Sequence, residues 1–216
     1  SELMTAILKA PVDLLWFGGI GTYVKAAGES HADVGDRAND AQRVNGQDVR
    51  ARVVGEGANL GVTQAGRIEY ALHGGRLNTD FIDNSAGVDT SDHEVNIKIA
   101  LSAAIRGGRL DMAARDQLLA EMTDEVAALV LEDNRLQAMA LSIAERGGAR
   151  AVPSQMRLID VLEERGLLDR RTEGIADGDM LARRATEGRG LTRPELAVLL
   201  SSAKLAIQGD LERSAV

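Results

Sequence analysis

Asn59, Asn84 and Ser91 are the side chains of this sequence whose types and spacing could do chemistry. Each asparagine lies in a Gly-bearing stretch, Gly55-Glu56-Gly57-Ala58-Asn59 and Asn84-Ser85-Ala86-Gly87-Val88, and each stretch follows strand-like residues. Ser91 opens Ser91-Asp92-His93-Glu94, a Ser-x-x-Glu capping box that predicts the start of a helix. Amides offer donors and acceptors, glycines let a ligand approach the backbone, and a helix N-terminus favours an anion such as a carboxylate. That is binding chemistry, and no catalytic acid, base or nucleophile is assigned within the chain.

Several elements must position these residues. Leu3, Met4, Ile7 and Leu8 recur at helical spacing from the first residues with no cap before them, so the chain is expected to be a piece of something longer. Val12–Phe17 predicts a strand buried on both faces, stopped by Gly18-Gly19-Ile20-Gly21. Residues 26–47 are polar and small, a surface excursion with one short helical turn around Asp33 to Ala41. Val49–Val54 is the next strand, and Thr63 caps a helix through Ile68 and Leu72 that stops at Gly74-Gly75. Arg76–Asn78 with Phe81–Ile82 predicts a weaker strand, and the Ser91 helix continues through Val95, Ile97, Leu101 and Ile105. This alternation is the rhythm of a doubly wound α/β domain, whose ligands lie at the carboxyl ends of its strands.

Beyond Gly107-Gly108 the strand-like runs disappear. Leu119, Met122, Val126, Leu129, Val130, Leu136, Met139 and Ile143 predict one long helix with a possible break near Asn134. A second helix opens at Pro153 or Ser154 and stops at Gly166, a weaker one spans Asp179 to Thr186, and Thr192-Arg193-Pro194-Glu195 caps the last.

Composition narrows the partners. With 44% hydrophobic but only 2% aromatic residues, the core must be Ala, Leu, Ile, Val and Met, which favours helix packing. The net charge of −8, with basic residues scattered among acids, argues against nucleic acid or an anionic membrane as partner. There are no cysteines, and His31, His73 and His93 share no local segment, so no metal site is expected. No apolar run reaches transmembrane length and no signal peptide pattern is present, which makes the cytoplasm the default.

Bland explanations stand beside these. Ser91 as a helix cap is worth about 1 kcal/mol, and a capping hydroxyl still has a proton to donate to a ligand. Asn59 and Asn84 suit turns because Asn tolerates left-handed backbone, yet two at successive strand ends keep binding open. Glu56 fits either a site or a solvated turn, and His93 suits a helix surface better than a catalytic base. Gly18, Gly19 and Gly21 lack the spacing of the dinucleotide fingerprint.

The run from Val53 through Leu101, VVGEGANLGVTQAGRIEYALHGGRLNTDFIDNSAGVDTSDHEVNIKIAL, resembles the large bacterial NAD-specific glutamate dehydrogenases. Asp13 to Lys25 (DLLWFGGIGTYVK) and Leu191 to Ile207 (LTRPELAVLLSSAKLAI) are similar to the same proteins, so the resemblance covers nearly the whole chain. It implies NAD as cofactor, with Asn59 and Asn84 facing the nucleotide, Val88 near the reacting carbon and Ser91 on a substrate carboxylate. The implied reaction converts L-glutamate to 2-oxoglutarate and ammonia, with hydride transfer followed by attack of a lysine-activated water on the imine. The implied fold is the C-terminal part of a Rossmann-type doubly wound domain over residues 1–108, followed by an all-α region over 109–216, in a homo-oligomeric parent. Ser85 and Ala86 depart from the Ala and Gly of smaller glutamate dehydrogenases, and Leu60-Gly61-Val62 replaces their Gly-Pro. The chain shows no Gly-x-Gly-x-x-Gly and none of the family's catalytic Lys and Asp motif, so a fragment inactive by itself is expected. A dehydrogenase for another amino acid, and a non-catalytic helical interaction module, are the alternatives.

Overall fold

A short helix, α1 (Glu2–Leu8), leads the computed structural model, which describes residues 2–214, and only its Leu8 is buried. Four short strands follow among irregular segments: β1 (Leu14–Phe17), β2 (Val24–Lys25), β3 (Val44–Asn45) and β4 (Val53–Glu56). β1 pairs with β4 in parallel, Leu14 opposite Val53 and Phe17 opposite Glu56, and β2 pairs with β3 in parallel. Burial on both faces of β1 is not found. Phe17 and Val54 turn into the core while Leu14 and Trp16 remain 54% and 56% exposed, because only one face of the strand pair is covered.

The excursion between β2 and β3 is more ordered than its polar sequence implies. Ser30 forms a capping box on α2 (His31–Val34), and the chain then returns to the interior at Arg43. The buried Arg43 guanidinium donates to the Thr22 carbonyl (2.8 Å) and the Asp40 carboxylate (2.6 Å), which satisfies a charge that could not otherwise be buried. β4 starts later than expected, so Gly55 and Glu56 end a strand and the turn proper is Gly57 to Gly61. α3 (Gln64–Leu72) is capped by Thr63, whose oxygen accepts from the Gly66 N–H at 3.0 Å.

Several sequence expectations are corrected after α3. The weak strand reduces to a single parallel bridge between Arg76 and Val53, and Phe81 and Ile82 belong to α4 (Asp80–Asp83). The cause is tertiary: the Asp80 and Asp83 carboxylates turn back to accept from the backbone N–H groups of Leu60 and Glu56. α4 runs on almost directly into α5 (Ser85–Arg106), so Asn84 to Val88 is helix entry rather than a Gly turn, and Ser91 lies exposed in the second turn and caps nothing. The expected long helix is two, α6 (Met112–Glu121) and α7 (Thr123–Arg146), parted at Met122. Asn134 stays helical because its amide is used, donating to the Val130 carbonyl and accepting from Ser85 Oγ.

The remaining helices are α8 (Gly148–Glu164), α9 (Gly178–Thr186) and α10 (Arg193–Arg213). α8 begins before Pro153, which sits inside it. The Thr192–Glu195 capping box forms as read, with Thr192 N–H donating to Glu195 Oε2 at 2.7 Å, and the fully buried Glu195 is also paired with Arg184.

The fold is thus mostly helical with a few short parallel strands. One core gathers Phe17, Val24, Val54, Val62, Tyr70 and Leu77 around the strands, and a second gathers Leu141, Ile159, Leu162, Leu181, Leu196 and Leu199 among α7 to α10. Full burial of one such aliphatic side chain stabilises by about 1.5–3 kcal/mol. α10 packs on α3, and Arg193 joins the two cores by bonding Asn78 on one side and the Ala138 carbonyl (3.1 Å) on the other. α5 and α6 contribute no buried residue. No described helix is long and apolar enough to cross a membrane.

Candidate functional site

The turn after β4 is held by a knot of charge. Glu56, 1% exposed, accepts from Arg67 Nε (2.7 Å) and Nη2 (2.9 Å) and from the Val62 N–H (3.0 Å). The same guanidinium meets Asp80 Oδ1 at 2.9 Å, and Asp80 Oδ2 accepts from the Leu60 N–H at 2.8 Å. Two carboxylates thereby clamp both ends of the turn through one cation. Burial pushes the Glu56 carboxyl above its usual range and the Asp80 charge adds to the rise, while bonding and attraction to Arg67 oppose it. Glu56 is therefore neither a solvated turn residue nor a ligand contact; it fixes the backbone.

The clamp stabilises an unusual conformation. Leu60 has φ +56°, the one non-glycine in the left-handed region among the described residues, which costs about 1–2 kcal/mol for an L-residue. This is the position where Leu60-Gly61 departs from the Gly-Pro of the smaller enzymes. Gly55 and Gly57 are required for a different reason, since the Trp16 indole lies across both; a Cβ on Gly55 would sit 2.5 Å from the ring.

Held this way, Asn59 faces the start of α5, where Asn84 Nδ2 donates to Asn59 Oδ1 at 2.5 Å. The pair lines a cleft of about 740 Å³ between the turn, α5, α7 and α10. Val88, 65% exposed, lines it too, with Leu136 and Leu200 opposite. Lys204 enters from α10 and donates to Gln137 at 3.2 Å, while Asp89, Asp92 and Asp133 make the rim acidic. Of the residues singled out in the sequence, Asn59, Asn84 and Val88 are brought together. Ser91 lies one helical turn beyond Val88, exposed, and is not part of the cleft wall.

Sequence reasoning missed Arg67, Asp80 and Lys204. Glu56 carried a signal for the first, because a carboxylate at the end of an apolar strand needs a buried cation, and Arg67 lies in the helix that follows. Nothing local marked Asp80 or Lys204.

A family model described as the catalytic domain of bacterial NAD-glutamate dehydrogenase matches residues 1–144. The NAD-specific glutamate dehydrogenase of Pseudomonas aeruginosa is 54% identical over all 216 residues, and that of Halomonas elongata is 50% identical over the same span. The protein of that name from Mycobacterium tuberculosis is 52% identical over 211 residues, 97% of this chain. The chain spans 13% of the length of each of these relatives. On that match and the sequence resemblance together, the chain belongs to the bacterial NAD-glutamate dehydrogenase family.

Proposed function

We propose that this chain supplies one wall of the active site of an NAD-dependent glutamate dehydrogenase, which converts L-glutamate to 2-oxoglutarate and ammonia. The observation that carries the proposal is the Asn59–Asn84 pair at the head of the cleft. Their mutual bond leaves Asn59 Nδ2 and Asn84 Oδ1 without a protein partner among the described residues, one donor and one acceptor. That set fits the carboxamide of a nicotinamide ring, which carries the complementary acceptor and donor. Bound there, NAD would accept the hydride from the substrate's α-carbon. The acidic rim disfavours phosphates, so only the uncharged nicotinamide end is assigned to this cleft.

Val88 and Ser91, one turn apart on α5 and both exposed, present an apolar contact and a hydroxyl to L-glutamate, Ser91 bonding a carboxylate. The chain's own work is to bind and orient, and the proton-handling residues lie elsewhere in the longer protein. The parallel β1–β4 pair with its turn at the carboxyl end supports placing residues 1–108 in a Rossmann-type domain, with 109–216 as a helical region.

The test is steady-state kinetics of a full-length enzyme carrying this segment. Asn84→Ala should raise KM for NAD about tenfold or more with a small effect on KM for glutamate, and Ser91→Ala should do the reverse. The 216-residue chain alone should reduce no NAD. Unchanged KM values in both folded variants would refute the assignment.

A second function is favoured by one observation: Leu129, Met139 and Ile143, which share one face of α7, are 47%, 42% and 64% exposed, as an assembly surface of a homo-oligomer requires. If Asn84→Ala and Ser91→Ala leave activity intact while Ile143→Lys dissociates the full-length protein, the interaction role replaces the catalytic one.

A further inference from the structure

α5 and α7 pack on each other through a contact that contains almost no buried residue, yet three metal-ligating side chains converge across it. Asp89 and His93 stand four residues apart on one face of α5, and Asp133 reaches over from α7. His93 Nε2 lies 3.6 Å from Asp89 Oδ1 and 3.9 Å from Asp133 Oδ2. Both separations exceed hydrogen-bond reach, so the groups converge without bonding one another. One ligand atom from each lies within 4.8 Å of the other two.

Two further observations point to a cation. Neither carboxylate has a Lys or Arg partner among the described residues, in contrast to Glu56, Asp80 and Glu195. Asp89 Oδ2 is shut off from water and has no hydrogen-bond donor, a state that costs about 1–3 kcal/mol unless something positive neutralises the group.

We propose that Asp89, His93 and Asp133 bind one divalent transition-metal cation of the zinc type, clamping α5 to α7. A tetrahedral ion with bonds of about 2.0–2.2 Å holds its ligand atoms about 3.3–3.6 Å apart, so the two His93 contacts need to close by a few tenths of an ångström and the two carboxylates by up to about 1.5 Å. One imidazole and two carboxylates leave a fourth position for water, and this donor set suits zinc, cobalt or nickel better than calcium. The i, i+4 spacing on α5 prepares two of the three ligands in advance. Counting histidines along the sequence hid the site, because it needs only one, and its third ligand comes from another helix. Asp89 and Asp133 also form part of the acidic rim of the cleft described above, so the ion would neutralise that rim as well as steady the helix that bears Val88. Its test reads metal uptake rather than activity, so that it can fail separately from the dehydrogenase assignment.

The experiment is calorimetric titration of the 216-residue chain with zinc chloride, paired with visible spectra on adding cobalt(II) chloride. One equivalent should bind saturably, with cobalt bands in the visible. His93→Ala and Asp133→Asn should each weaken binding about tenfold or more and abolish the bands, while His73→Ala leaves both unchanged. Far-UV circular dichroism verifies folding, and the near-isosteric Asp133→Asn carries the test should His93→Ala be perturbed. No saturable uptake by the folded chain below about 1 mM metal would overturn the proposal. So would binding that survives both substitutions, or that depends on His73.

Discussion

At the end of β4, Glu56, Arg67 and Asp80 are shut away from water and every carboxylate oxygen has a donor. Across α5 and α7, Asp89, His93 and Asp133 are partly open and make no bond to each other. The residue types are nearly the same, two carboxylates and one base. The difference is burial, which turns the first set into a fixed piece of architecture and leaves the second with unused coordinating capacity. The first set shapes the turn that presents Asn59; the second stands at the rim of the same cleft.

This contrast breaks most easily at Arg67. Arg67→Ala strands two carboxylates in the interior and should destabilise the chain by about 3–5 kcal/mol in urea unfolding, whereas a loss below 1 kcal/mol would mean that water reaches the knot. Next in size is a pH effect. Because burial raises the folded Glu56 pKa, folding favours its protonated form. Its contribution to stability is complete below the ordinary value of 4.5 and is lost as pH rises through the higher folded value. Glu56→Gln should remove that slope, at most about 1.4 kcal/mol per pH unit for one proton, in melts run upward from pH 4.5. A variant whose profile parallels the wild type would show that Arg67 already offsets the burial. The smallest effect belongs to the open set: Asp133→Asn in metal-free buffer should shift stability by no more than about 0.5 kcal/mol. A larger loss would mean that this triad, too, is structural.

Legibility followed the range of the forces involved. Thr63 and the Thr192–Glu195 box were readable because a cap is settled by neighbours within one turn. Ser91-x-x-Glu94 fits the same capping-box pattern as Thr192-x-x-Glu195 but fails, because α4 already supplies a helical turn and α5 continues from it. The strand expected at Phe81–Ile82 was lost to the same cause, since Asp80 and Asp83 reach back to β4 and no local pattern announces a partner that distant. Asn59 and Asn84 were identifiable as unusual residues in unusual places, but their bond to one another was not. His93 and Asp133 became neighbours only when α7 folded back along α5.

The placement of Trp16 has an optical consequence. It is the one tryptophan of the chain, and its indole lies over Gly55 and Gly57, on the segment that leads to Asn59. The tryptophan emission of this chain is therefore a local signal: its wavelength and intensity report the solvation of that single turn, and they shift when the turn rearranges even where the helices, and so the far-UV spectrum, stay as they are.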